Sequence, residues 1–457
     1  MDKLFLIITL LVCASAAFAG RSITVDASFP YYKDRTPESI VDEISANGYD
    51  DVRMACTNES GINGDLVKAF RDGGIHIWFL TFINGTYSTA DLPPGWEAWK
   101  MKLRHTKNVD GFIYLCCNNP EFRKWKKQRI VIALNSHPFY GVDLIEPFFP
   151  AFEGPKSDLY GCLCDSCVAA FKKMYPEVSG PPDFENPSSP HYWKTDTTLY
   201  EKWVGFRVSS VINYVDDLVN GKDGIREKCP QVKVATWSLG VDVPDQLRKL
   251  REWEAIDGAA MVKRVKPDLH VIQTDWPDWS KDSLPGSYPL KYKPVADSIK
   301  AESPSTPIML QADIGSRTNM RRSRAWLDEV EKSARQIGCI STTSYEYHLG
   351  EYMYTEPPAL VKAVSEHDGI KLIFNKRLDT VSASNIANYS LSSGQVDYAK
   401  VDGNVVHLSV SGAEGSVEVT VTGLSDDESR RLYHDRPVCI MDQSSKATVE
   451  TQSQDKP

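Results

Sequence analysis

From residue 21 to about 366, short apolar and β-branched runs alternate with longer stretches whose apolar residues recur at helical spacing. The short runs, 23–29, 51–56, 75–83, 141–145, 232–237, 269–275, 308–313 and 339–345, read as strands. Helices are expected at 38–47, 66–72, 123–135, 200–220, 247–266 and 323–337. The first opens on Thr36-Pro37-Glu38, a capping side chain followed by proline at the first helical position, and the second stops at Gly73-Gly74. Eight strands with intervening helices predict a (β/α)8 TIM barrel over 20–366. An open doubly wound sheet is the competitor. It calls for a glycine-rich phosphate loop after the first strand, and Val25 is followed by Asp26-Ala-Ser-Phe-Pro.

After His367 the period changes from helical to two. Alternating runs at 369–374, 388–391, 405–410 and 417–422, separated by Gly, Asn, Asp and Ser, predict a small all-β sandwich over 367–440. The polar segment 441–457 is expected to be a disordered tail. Residues 179–194, SGPPDFENPSSPHYWK, belong to no regular element and fall in the loop after strand four. At the other end, Lys3, the apolar run 4–12 and Ala17-Phe18-Ala19 have the layout of a cleavable secretory signal over 1–19. That run is too short to span a bilayer, so the expectation is a secreted or periplasmic protein with no membrane span.

Composition narrows the partners. A net charge of −9 over 457 residues argues against nucleic acid and anionic membranes, which select basic patches. Eleven Trp and twenty Tyr mostly serve a barrel core, and a minority suits the stacking platforms of sugar clefts.

The chemistry concentrates in 141–171. An apolar strand delivers Glu146 to its end, an aromatic loop with Phe148, Phe149 and Phe152 follows, and Cys162-x-Cys164-x-x-Cys167 closes the loop before a helix. Thiolates at this spacing can wrap one tetrahedral ion, which needs a fourth ligand, and Cys116 and Cys117 lie upstream. A disulfide with a spare thiol is the alternative in an oxidising compartment. The nine histidines form no HExxH pattern, and neither a serine-nucleophile motif nor an organic-cofactor fingerprint is present.

Over about residues 114–175 the chain resembles the family 42 glycoside hydrolases, the β-galactosidase type. Cys116, Pro120 and Arg123 match the first part of the pattern, and Glu146, Cys162, Cys164, Cys167 and Ala169-Ala170-Phe171 the second. The resemblance implies hydrolysis of glycosidic bonds in oligo- or polysaccharides and a carbohydrate partner, with Glu146 as the acid/base. It also implies a structural zinc on Cys116, Cys162, Cys164 and Cys167, with Cys117 standing where the family has proline. Many relatives associate, so an oligomer is compatible with it. Two positions depart from the pattern: Ile145 replaces the Asn that precedes the acid/base Glu, and Gln311 stands where strand seven carries a carboxylate. The string 370–391 resembles the Ig-like modules of bacterial surface-layer and exported proteins, which are mostly spacers.

In a barrel, functional residues lie at the C-terminal strand ends. Read in order these are Asp26, Arg53, Asn84, Glu146, Trp237 with Asp242, Asp275 with Trp276, Asp313, and Tyr345-Glu346-Tyr347. Glycoside cleavage needs one protonated and one ionised carboxyl. Glu146 is the expected acid, because its apolar surroundings raise its pKa. Asp313 and Glu346 are the candidate partners. Asp26, Arg53, Trp237, Asp275, Trp276 and Tyr345 are candidate substrate contacts. Salt bridges and loop caps are the ordinary fate of any one of these residues. A barrel that binds carbohydrate without cleaving it is the alternative function.

Overall fold

The alternating strands close on themselves. A computed structural model describes residues 21–105, 111–150 and 152–451. In it β1 (Arg21–Val25), β2 (Tyr49–Cys56), β3 (His76–Phe82), β4 (Gly141–Ile145), β5 (Lys233–Gly240), β6 (Leu269–Thr274), β7 (Ile308–Asp313) and β8 (Ser341–Tyr345) form one closed barrel, and β8 pairs back onto β1. Neighbouring strands are parallel throughout. The fold is the expected (β/α)8 barrel.

The covering helices include α1 (Pro37–Ala46), α2 (Gly64–Asp72), α3 (Pro120–Ser136), α4 (Asp165–Met174) and α5 (Thr197–Asn220). Thr36 caps α1 by accepting from the Ser39 amide, and Asn119 caps α3 just ahead of Pro120. The single helix expected over 247–266 is two, α6 (Gln246–Glu254) and α7 (Gly258–Val265). Ala255 lies at φ 62°, in the left-handed region, and Asp257 caps the second helix through the Ala260 amide. This break leaves Glu254 at a helix end beside the barrel mouth. Two further helices, α8 (Lys293–Glu302) and α9 (Arg324–Gln336), precede β7 and β8.

The barrel interior is part apolar and part polar. Trp78, Leu80, Ile145, Ala235, Trp237, Val271 and Met309 form one packed cluster. Against it lies Arg53, fully buried, bonded to Asp51 and Ser22 and 3.5 Å from the Asp143 carboxylate. The indoles of Trp78 and Trp237 donate to Asp51 and Asp143, each at 2.8 Å. Arg53 and Trp237 were expected at the mouth as substrate contacts, and both belong instead to the barrel's internal packing. Their strands run three residues beyond them, to Cys56 and Gly240. Burial raises the Asp143 carboxyl to about 6 even with Arg53 opposing it. Replacing Arg53 with Met strands two buried carboxylates, so we expect a loss of about 3–5 kcal/mol in denaturant unfolding.

Seven further strands form the C-terminal unit: β9 (Leu360–Glu366), β10 (Gly369–Phe374), β11 (Tyr389–Leu391), β12 (Gln395–Asp402), β13 (Val405–Ser411), β14 (Gly415–Val421) and β15 (Ser445–Thr451). They make a four-stranded sheet, β9-β10-β13-β12, and a three-stranded one, β11-β14-β15, around a shared core that includes Phe374, Leu408, Val419 and Val449. Two boundaries move. The unit begins at Leu360 rather than 367, because β9 pairs antiparallel with β10. Residues 445–451, expected in a disordered tail, pair with β14 and bury Val449. Residues 1–19, read as a signal, and 452–457 lie outside the described residues.

The all-β unit is not a loosely attached spacer. Arg377 donates to the backbone carbonyls of Tyr31 and Lys33, and Arg35 to Asn404. The Tyr433 hydroxyl donates to the carbonyls of Gly315 and Ser316, in the loop after β7. No helix among the described residues is long and apolar enough to cross a membrane.

Candidate functional site

The C-terminal ends of β4 and β6 each carry a carboxyl suited to acid–base work. Glu146 follows β4 directly at φ 53°, a backbone conformation that non-glycine residues enter at a cost of about 1–3 kcal/mol and that clusters at functional sites. A tight turn, with the Phe148 amide donating to the Glu146 carbonyl at 2.9 Å, leads into the aromatic loop. Asn84, after β3, holds that loop by donating to the Phe148 carbonyl. The Glu146 side chain is half-buried, and desolvation raises its carboxyl to about 7 against a single hydrogen bond from Gln273.

Asp275 follows β6, its amide bonded to the Gly240 carbonyl. One carboxylate oxygen accepts from the Trp276 amide at 2.7 Å, and the other, Oδ2, is buried without a hydrogen-bond partner. Burial raises this group to about 7 as well. Trp276, 48% exposed, stands at the rim with its ring 5.6 Å from Phe152, which in turn packs on Trp253 at 4.8 Å. The exposed indole offers a flat apolar face of the kind on which sugar rings stack.

The other expected carboxylates are engaged in the fold. Asp313 is half-buried at the end of β7. It accepts from the amides of Gly315 and Ser316 at 2.8 and 2.9 Å and from the Ser316 hydroxyl, so it organises its own turn, and burial raises its carboxyl. Glu346 is enclosed completely. Tyr32 donates to it at 2.6 Å, the Asp26 amide bonds the second oxygen, and His348 Nδ1 lies at 3.4 Å. In this arrangement Glu346 clamps β8 to the loop after β1. Asp26 itself is half-buried and caps the Ser28 amide. Tyr345 shares this side of the mouth, where burial and then the neighbouring Glu346, Asp26 and Asp313 raise its hydroxyl.

One residue of the site went unnoticed in the sequence. Glu254, at the end of α6, is 4% exposed, and its Oε2 is buried without a partner. Burial raises its carboxyl most, and Asp275, then Glu146, push it in the same direction against Arg207. Within an expected continuous helix nothing distinguished it from a surface glutamate; Ala255 in the left-handed region is what turns it inward.

The four expected cysteines meet. Cys116, Cys162, Cys164 and Cys167 bring their sulfurs within 4.8 Å of one another, with Cys116 3.4 Å from both Cys164 and Cys167. A tetrahedral metal–thiolate shell places its sulfurs ~3.8 Å apart, as bonds of ~2.3 Å require, so the donor set fits a metal ion. Asn118 adds sulfur hydrogen bonds, its amide to Cys116 at 3.4 Å and its side chain to Cys167 at 3.3 Å. Cys117 points elsewhere in the core, and all nine cysteines among the described residues carry free thiols. The disulfide alternative is therefore absent among the described residues.

The cluster lies close to the acid site. Arg207 of α5 donates to the Gly161 carbonyl, next to Cys162, and to the carbonyls of Glu252 and Trp253, next to Glu254. Its guanidinium lies over the rings of Tyr160 and Phe149.

Neither a protein-family signature nor a curated protein matches the sequence. Solved structures share the fold. The PgaB (BpsB) glycoside hydrolase domain from Bordetella bronchiseptica superposes with a TM-score of 0.52 at 13% identity, covering 71% of this chain and 93% of that one. Gan42B, a GH42 β-galactosidase, gives 0.51 at 13% identity over 72% of this chain and 51% of that one. The chain thus matches nearly all of the first and about half the length of the second. At these identities the likeness is one of fold, a (β/α)8 barrel of the kind found in glycoside hydrolases.

Proposed function

We propose that the protein hydrolyses glycosidic bonds, with Glu146 as general acid. The observation that carries this is a half-buried carboxyl at the end of β4, raised to about 7, held by one glutamine and followed in the chain by an aromatic loop. Glu146 delivers its proton to the glycosidic oxygen as the bond to the anomeric carbon breaks, and water attacks that carbon. Asp275 is the partner that takes the proton of this water. Its Oδ2 is free, whereas the oxygens of Asp313 and Glu346 are spent on turns and clamps. Trp276 is the stacking ring.

Zinc is the ion that the four thiolates fit best. With four protein ligands the tetrahedron is filled, and its role is to hold the loop that starts at Glu146. Export through residues 1–19 and an Ig-like β unit complete the proposal, which rests on sequence for both.

The reading is tested by assaying the purified protein against aryl glycosides and natural oligosaccharides. Because Glu146 acts protonated and Asp275 ionised, with both carboxyls near 7, kcat/KM should follow a narrow bell centred near pH 7. Asp275 sets the acid limb and Glu146 the alkaline limb. A rate that climbs unbroken to pH 9 excludes Glu146 as the acid.

One observation favours the rival, a barrel that binds sugars without cleaving them. Ile145, where the resembling family has Asn, packs into the barrel core and offers no hydrogen bond to a sugar hydroxyl, and Gln311 replaces the carboxylate of β7. Glycan binding by calorimetry without turnover, unchanged by Glu146→Gln, decides for it.

A further inference from the structure

Apart from the barrel mouth, the all-β unit meets the barrel across a cleft of about 490 Å³. Its floor is the outer face of the four-stranded sheet. Lys371 of β10 stands in register with His407 of β13, and His407 with Lys400 of β12, so these side chains cross three adjacent strands in one row, ~10 Å long at ~4.8 Å per strand. The opposite wall is the start of α1, with Thr36, Glu38 and Ser39 at its first turn and Asp42 in the next. In a (β/α)8 barrel each helix begins at the end where its preceding strand stops, so this wall stands at the same end of the barrel as Glu146 and Asp275.

Most charges of the cleft are spent within the fold. Lys371 pairs with Asp42 at 2.5 Å and His407 with Glu366 at 2.8 Å. Asp402 accepts from the Thr36 amide at 2.9 Å and from the Thr36 hydroxyl. Lys400 is exposed and has no carboxylate partner among the described residues, and Glu38, exposed on the opposite wall, has no side-chain hydrogen bond among them. Two positions before Lys400 on the same face of β12, Tyr398 lies opposite Ser409 and is 61% exposed, while Ala399 between them is buried in the sandwich core. A ligand that fits brings an anion for Lys400, hydroxyl donors for Glu38 and a flat face for the Tyr398 ring. An acidic sugar carries all three. A neutral sugar leaves Lys400 unmet, and the net charge of −9 repels a densely charged polyanion that offers no other contact.

We propose that the all-β unit carries a glycan-binding site of its own in this cleft, for an acidic polysaccharide whose rings bear a carboxylate or a sulfate ester. Lys400 donates to the anionic group, Tyr398 supports the ring beside it, and Glu38 accepts from ring hydroxyls. The site holds the protein on a charged polysaccharide and uses none of the carboxyls at the barrel mouth, so it does not depend on what the barrel cleaves.

The test measures binding by the full chain, by calorimetry, to polygalacturonate and to its methyl ester, in which the same rings are neutral, and to dextran sulfate and dextran. The expected result is binding of an acidic polymer and not of its neutral counterpart. Polygalacturonate alone assigns carboxylates, dextran sulfate alone assigns sulfate esters, and binding of both assigns their shared anionic chemistry. Lys400→Gln should weaken binding by roughly 5- to 10-fold and Tyr398→Ala by roughly 3- to 10-fold, whereas Lys400→Arg should keep most of it. Lys446→Gln removes the same charge from β15, where the lysine is bonded to Glu418, and should leave binding unchanged. Turnover of aryl glycosides by Lys400→Gln should equal that of the wild type. Equal binding of acidic and neutral polymers, acid binding that survives Lys400→Gln, an equal loss in Lys446→Gln, or no binding of either acidic polymer overturns the inference. Because the readout is binding, a protein that cleaves nothing removes the glycosidase reading and leaves this test intact.

Discussion

Glu146→Gln should lower turnover of any cleaved glycoside by about 10²- to 10⁴-fold, with the far-ultraviolet circular dichroism of the wild type retained. The substitution keeps size and hydrogen-bonding capacity but removes the proton that the leaving oxygen requires. The loss should be smallest for aryl glycosides whose phenolate departs without protonation, and that dependence separates a missing acid from a damaged site. The same variant should gain stability at alkaline pH. The folded carboxyl titrates near 7, above its ordinary value of 4.5. Below 4.5 the group is protonated folded and unfolded and costs nothing. As pH rises toward 7 the unfolded chain ionises first, and above 7 the fold carries a desolvated charge. Glu146→Gln should therefore match the wild type near pH 4 and exceed it at pH 8 by on the order of 1–3 kcal/mol. An unchanged rate, or a variant less stable at pH 8, removes Glu146 from the proposed role.

The barrel was legible because its strands are short β-rich runs, most of them apolar, bounded by strong punctuation. Thr36-Pro37 begins one helix and Gly73-Gly74 ends another where expected, whereas α3 starts at Pro120, ahead of the expected 123. Glu146 and the four cysteines were legible because they sit next to a strand end or at ligand spacing, features local in sequence. Arg53 and Trp237 were misplaced for a reason that no window of sequence contains. A polar residue in a barrel strand is equally compatible with the mouth and with the interior, and Asp51 and Asp143, on β2 and β4, decide that Arg53 is inside. Glu346 carried the same ambiguity, settled by Tyr32 from the far side of the chain. Glu254 was hidden by helical periodicity that runs unbroken through 247–266. Only the left-handed residue Ala255 interrupts it, and alanine is not a residue from which a break is read. The last strand was missed because 445–451 buries only Val449 fully and otherwise alternates polar residues.

These pieces meet on one loop. It starts at Glu146, carries the aromatic rim through Phe152, and ends at the cysteines. Arg207 fastens its far end at Gly161 to the helix end that presents Glu254. The acid, the third carboxyl and the metal cluster thus share a single support, so disturbing the cluster should reach the chemistry without touching it.

Removing the metal should accordingly have two effects at once. Elemental analysis of the purified chain is expected to find about one zinc, and Cys164→Ser, which deletes one of four ligands, should lose it. Ligand-linked stability is lost with the ion, on the order of 3–5 kcal/mol or roughly 5–15 °C in Tm. Turnover should fall with it, because the loop between Glu146 and Cys162 loses its anchor, whereas Arg53→Met weakens the barrel and leaves the metal bound. Cys117→Ala is the matched control. Its thiol is buried next to Cys116 but outside the sulfur cluster, so metal content should be unchanged. A metal-free protein of undiminished stability refutes the structural-metal assignment. Equal metal loss in Cys117→Ala and Cys164→Ser refutes the choice of Cys116 over its neighbour.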